Sequence, residues 1–245
     1  MSENRTETLT LALRLPLSDA EVNLKVLNKL LSSTQTREKA LKIFQYSSKL
    51  LAYFLVRAAG NLKDWGKHFD ALAKLLSLAR RCFKFCRFLK HFEDIAEARA
   101  EKNLSFQSLL MVDVACNVVA DVSEDITSLE KVGVLKKGVL PKRAEYYANW
   151  CQLVLAVVEI VVSHVKVNRA REKACAAAAT NAGTAPLEVQ RKSTLANLEL
   201  SKFYADLVKA FYDCELSFAS ELGFCISGLW AAFVSTHKYA LKVVK

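Results

Sequence analysis

The residues that come nearest to chemistry in this chain are two glycine-bounded stretches, a cysteine pair and two acids set among apolar neighbours. Residues 60–68 read GNLKDWGKH. A phosphate-cradling loop needs four residues between its glycines and a Ser or Thr after the lysine, so that backbone N–H groups converge on phosphate and a hydroxyl reaches the metal. Here five residues separate Gly60 from Gly66, and His68 stands in the hydroxyl's place. Residues 133–138 (GVLKKG) have the glycine spacing, but Val139 follows where lysine is required. Cys82 and Cys86 lie one helical turn apart on an apolar face and His91 on the opposite one, so they do not converge as zinc ligands must. Glu159 and Glu221 interrupt apolar helical stretches, where a carboxylate either lines a polar path or faces a bundle interior. No catalytic constellation results. The chain is expected not to be an enzyme and to use no cofactor and no metal.

The elements that carry these residues are helices. Only 7 Gly and 3 Pro occur in 245 residues, so long helices are expected rather than a many-stranded sheet. Hydrophobic residues make up 52% and the mean hydropathy is +0.14, which is apolar for a water-soluble chain. The formal charge of +10 favours a polyanionic neighbour, whether lipid surface, nucleic acid or acidic protein. Seven cysteines without a paired framework predict reduced thiols facing a cytosol. The acid-bearing N-terminus has no apolar core of secretory type, so internal segments are expected to direct any membrane insertion.

Ser18 and Glu21 form a capping box, with Leu17 and Val22 placed for a hydrophobic staple, ahead of a first helix striped by Val22, Val26, Leu27, Leu30 and Leu31. A second helix over 36–59 repeats Ala40, Ile43, Phe44, Leu51, Phe54 and Leu55 at helical spacing, and that stripe predicts core packing. The third, over 71–92, has no acid and six Lys/Arg. At about 100° per residue, Leu75, Leu78, Ala79, Cys82, Phe85, Cys86 and Leu89 gather on one face. Arg80, Arg81, Lys84, Arg87 and Lys90 supply the cations, and Phe88 falls among them. This is the pattern of a helix lying in the headgroup plane, each cation near an anionic leaflet contributing on the order of 1 kcal/mol. A core helix with a solvated basic face gives a similar pattern. A nucleic-acid stripe would use the same cations, but no motif for it is present and nucleic acid is not expected as a partner.

Residues 146–165 and 216–237 approach the roughly 20 apolar residues that a span requires. The shorter stretch 104–120, broken by Asp113, predicts a buried helix. Ala219, Gly223, Ser227, Ala231 and Ser235 recur every four residues, a small-residue edge that predicts self-association or close packing on the 146–165 helix. The organisation expected is an N-terminal helical region over 1–173, a linker over 174–188 and C-terminal helices over 189–245 with a membrane anchor at 216–237. Basic clusters flank 146–165 on both sides, so the positive-inside rule assigns no orientation. The fold class is all-α: a membrane-associated bundle of long helices with an amphipathic surface helix and one or two hydrophobic spans.

REKALKIFQYSSKLLAYFL (37–55) and LARRCFKFCRFLKHFEDI (78–95) resemble the peroxin-11 family of peroxisomal membrane-elongation proteins, the latter corresponding to that family's membrane-inserting helix. The glycine-containing C-terminal segment is similar to the family's terminal anchor. The Cys- and Ala-rich character resembles glycosomal membrane proteins of trypanosomatids. The resemblance implies a protein of the peroxisomal or glycosomal membrane that wedges into the cytosolic leaflet and elongates the organelle before fission. It adds Phe92 to the apolar face of 71–92 as an inserting residue. Its implied partners are anionic phospholipids, further copies of the chain as a homo-oligomer, and fission machinery. A metabolite pore in the same membrane is the alternative that the resemblance leaves open; a soluble helical adaptor with a basic docking face is the other.

Overall fold

The computed structural model describes residues 34–58, 62–180 and 187–243. The capping box at Ser18 and the first helical stripe lie outside the described residues. Seven α-helices and one 3-10 turn account for nearly all of the remainder, without a strand among the described residues. They are α1 (Thr34–Arg57), α2 (Leu62–Lys84), the 3-10 turn (Arg87–Lys90), α3 (His91–Arg99), α4 (Leu104–Val132), α5 (Val139–Thr180), α6 (Leu187–Asp213) and α7 (Glu221–Val243).

Local chemistry sets the helix ends. Asn103 caps α4, its side-chain oxygen accepting from the Phe106 N–H at 3.2 Å. Gly133 closes the same helix at φ 88°, and the Val134 N–H returns to the Leu129 carbonyl at 2.9 Å. Pro141 is accommodated in the first turn of α5, where an amide hydrogen has no helical acceptor. α5 then runs through the alanine-rich stretch to Thr180, so residues 174–180, expected to begin a linker, are helical. Alanine has the highest helix propensity, and no Gly or Pro intervenes to stop it.

The helices pack as a closed succession. α1 lies between α2 and α7; α7 packs on α6, α6 on α5, and α5 on α4. α4 returns to α2, the 3-10 turn and α3, which closes a ring. α7 therefore packs on α1 and α6, not on α5 as the small-residue edge suggested. Ser227, Ala231 and Ser235 are buried there, while Ala219 precedes the helix and Gly223 is half-buried in its first turn. Gly228, outside that edge, makes the closest approach: a Cβ on it would overlap the Tyr46 ring.

The ring buries charged and polar residues beside its apolar core and leaves large apolar side chains outside. Glu38, Lys42, Gln45, His91 and Asp121 are buried, whereas Phe44 and Phe92 are each 64% exposed and Leu104 77%. The α1 stripe expected in a core faces outward: Phe44, Leu51 and Phe54 are exposed, and it is the opposite face, with Glu38, Lys42, Gln45, Tyr46 and Ser48, that is buried. A chain folded in water turns charged residues outward almost without exception. An apolar exterior is stable where the surroundings are themselves apolar.

Two helices among the described residues are long and apolar enough to cross a bilayer, Leu104–Val132 and Leu140–Ala179. Only 22% and 33% of their most apolar stretches are buried, unlike the core helix of a soluble protein. α5 contains the expected 146–165 segment. α4 replaces the 216–237 segment as the second candidate and overturns the expectation of a short buried helix at 104–120. The C-terminal segment falls short because it turns at Cys214–Ala219, and because Glu221, His237 and Lys238 dilute α7.

Candidate functional site

The 71–92 region spans α2, the 3-10 turn and the start of α3, not one helix. α2 ends at Lys84, and Cys86 takes a left-handed conformation at φ 59°. For a residue with a Cβ this costs about 1–2 kcal/mol. The break is held from a distance, since the Cys86 N–H donates to the Asp125 carboxylate at 3.0 Å from α4. The chain resumes as the 3-10 turn and α3, turning the basic face around the end of the ring.

The apolar residues of that region remain together on the outside. Leu75, Phe85, Leu89 and Phe92 are 50–64% exposed, Cys82 and Cys86 are exposed, and Leu78 is half-buried. Phe83 adds to the surface, although the sequence pattern did not assign it there. Phe88, expected among the cations, is half-buried at the turn.

The cations point the other way. Arg80 donates to Glu38 at 2.8 and 3.0 Å, Arg81 to the Thr127 hydroxyl at 3.0 Å, and Lys84 to Glu124 at 3.3 Å. Arg87 makes a two-pronged pair with Asp121 at 2.6 and 2.9 Å, and His91 meets the same carboxylate at 2.9 Å. Four of the five cations expected on headgroups are thus bonded inside the ring. Lys90 is exposed and has no ion pair among the described residues. The physical reason is the supply of acids: Glu38, Asp121 and Glu124 stand on facing helices and compensate the guanidinium and ammonium groups more closely than water does.

The electrostatics follow from this enclosure. Burial opposes the charge on Glu38, but Lys39, Lys84 and Arg80 hold its pKa well below the usual carboxylate range. Burial pulls Lys84 down to about 8, against the attraction of Glu124. Lys42 is pushed well below an ordinary lysine by burial, with Asp206 opposing. Asp206 is lowered: burial raises it, and Lys42 and Lys202 more than reverse that.

The ring surrounds a partly open polar cavity of about 470 Å³, lined from all seven helices and the 3-10 turn. Glu159 reaches it from α5; Glu221 instead stands 3.6 Å from Arg57 at the periphery. The lining residues Lys42, Lys202, Asp206 and Lys209 carried no sequence signal as a site. Glu38, Lys42 and Gln45 do recur at helical spacing, and that polar stripe was the available clue.

A further cluster gathers where α5 begins. Tyr146 contacts both Tyr147 and Trp150, and all three are exposed, the placement of aromatic residues at a membrane–water boundary.

Comparison with known families matches residues 24–240 to peroxisomal biogenesis factor 11 (PEX11). No curated protein and no solved structure matches the chain.

Proposed function

Because this chain belongs to the peroxisomal biogenesis factor 11 family, which acts in peroxisome biogenesis and proliferation at that organelle's membrane, we propose that it sits in the bilayer and elongates it ahead of fission. The observation that carries this is the outward apolar surface of α2, the 3-10 turn and α3. Leu75, Phe85, Leu89 and Phe92 are all exposed, while Arg80, Lys84 and Arg87 beside them are paired within the ring. A monomer in water rarely tolerates so large an apolar exterior. Inserted beside the two candidate spans, this edge occupies area in one leaflet and biases curvature. Anionic phospholipids engage the exposed basic residues at its rim, such as Lys90. Copies of the chain assemble side by side as a homo-oligomer and hand the elongated membrane to fission machinery. The cysteine- and alanine-rich composition supports a glycosomal setting.

The test is reconstitution of the full-length protein into anionic liposomes, with tubule length as the readout. Wild type draws tubules, whereas a Phe85→Ser, Leu89→Ser, Phe92→Ser variant stays in the carbonate-washed pellet without elongating vesicles. Equal tubulation by that variant overturns the assignment to this edge. Release of the wild type by alkaline carbonate overturns the integral reading.

The polar cavity favours permeability as a second reading, with Glu159 on the path. Planar-bilayer conductance altered by Glu159→Gln supports it; silence in that assay leaves remodelling alone.

A further inference from the structure

The cavity inside the ring is more basic than its enclosure requires. Nine lysine and arginine side chains line it, against four carboxylates, Glu38, Glu159, Glu199 and Asp206. Several of those carboxylates are shared. Glu38 serves both Lys39 at 2.8 Å and Arg80. Asp206 stands 3.8 Å from Lys42 through one oxygen and 3.8 Å from Lys202 through the other, too far for a hydrogen bond to either. Asp121 and Glu124, behind the wall, are already engaged by Arg87 and Lys84. Lys90 and Lys209 line the cavity with no ion pair among the described residues, although Asp213 lies near Lys209.

An excess of like charge gathered in one space repels itself. The excess is spread over α1, α2, the 3-10 turn, α6 and α7, so no single helix's solvated face explains it. Ammonium and guanidinium groups converging from several directions are the donors that phosphate oxygens take, singly from Lys and two-pronged from Arg. Asn117, Gln152 and Ser235 add neutral groups suited to hydroxyls, and Leu155, Ala156 and Val234 form an apolar wall. The volume is that of a small-molecule site.

We infer that the ring binds a multiply charged, phosphate-bearing molecule in this cavity, between Lys42, Lys202 and Lys209 of α1 and α6 and Arg80 and Lys90 of the opposite side. The bound anion would replace the stretched Lys42–Asp206–Lys202 bridge with direct phosphate contacts and would tie α1 to α6 across the ring. This site shares only Lys90 with the rim of the lipid-facing edge and holds whether or not that edge elongates membranes.

Two sources offer this chemistry, a soluble organic phosphate and the headgroup of a phosphoinositide. Full-length protein in detergent is titrated calorimetrically with pyrophosphate and with inositol 1,4,5-trisphosphate, and in parallel placed in nanodiscs with and without phosphatidylinositol 4,5-bisphosphate and followed by thermal melting. Saturable binding of the soluble probes, weakened at least tenfold by Lys42→Met with Lys202→Met, supports the site and a soluble ligand. A melting rise with the lipid alone, lost in the same variant, supports the site and a headgroup ligand. Lys90→Gln guards against misfolding, because an exposed, unpaired lysine is dispensable to the fold; it should weaken binding several-fold with unchanged melting of the unliganded protein. Absence of binding to all three probes, or binding unchanged in both variants, overturns the inference.

Discussion

Where α1 meets α6 and α7 the ring is held by aromatic packing, whereas where α2 and α3 meet α4 it is held by charge. At the first seam Tyr46 and Phe224 lie 5.5 Å apart, Tyr212 stacks on Phe224 at 4.8 Å, and Leu50 and Leu229 fill the flanks. Gly228 lets the Tyr46 ring reach the α7 backbone. At the second seam Arg81, Lys84, Arg87 and His91 reach across to Thr127, Glu124 and Asp121. The aromatic cluster of the first depends on shape; the second depends on protonation and on each partner being present. One closed ring thus has a corner set by shape and a corner that solution conditions can loosen.

The largest effects should come from the aromatic seam. Tyr46→Ala removes a ring that is 3% exposed and should cost about 3–4 kcal/mol, read as a lower melting temperature in detergent. Gly228→Ala should cost about 2–3 kcal/mol by overpacking the same ring, and combining it with Tyr46→Ala should recover most of that increment. If the two losses simply add, Gly228 is not there for Tyr46. Next comes Asp121→Asn, which leaves Arg87 and His91 without their shared carboxylate. About 2 kcal/mol is expected, moderated by the partial exposure of Arg87.

Acidification acts on charged pairs beside the aromatic cluster, at Glu38 between α1 and α2 and at Asp206 between α1 and α6. Glu38 and Asp206 have lowered pKa values in the fold, so their contribution is fully present above the ordinary carboxylate values of 4.5 and 3.8 and is lost as pH falls below them toward the folded values. Melting temperature should therefore decline below about pH 4.5. Glu38→Gln should flatten that decline, and Tyr46→Ala should lower the curve without changing its slope. The smallest effect is expected for a paired replacement. Glu124→Met alone should cost about 1–2 kcal/mol by stranding Lys84, whereas Glu124→Met with Lys84→Met should be close to neutral. A double variant as weak as the single would show that the pair stabilises the seam outright.

The sequence made the helices legible and left their orientation hidden. Periodicity divides α1 into an apolar and a polar face but does not say which is inside, because that sign belongs to the solvent. Phe44 and Phe54 look like core residues only if water surrounds the chain. The same inversion applies to Arg80 and Arg87, whose partners Glu38 and Asp121 lie 42 and 34 residues away and leave no local mark. The break at Cys86 was equally unreadable, since an ordinary residue is held there by Asp125 from another helix. By contrast, the apolar membership of Leu75, Phe85 and Leu89 was readable from spacing alone. The cavity was not, because it gathers residues from every helix, most of them far apart in sequence.

The length of α5 has a mechanical consequence. Its 42 residues extend about 63 Å, twice the roughly 30 Å hydrocarbon thickness of a bilayer. With the apolar part from Tyr146 to Val165 submerged, the remaining turns to Thr180 form a stiff stalk of about 22 Å, braced against α6 by Arg171 and Asn197 at 3.3 Å. A few degrees of tilt imposed by a bending membrane would swing the tip of this stalk by an ångström or more. The helix would then serve as a lever that carries the local shape of the lipid surface to whatever stands above it.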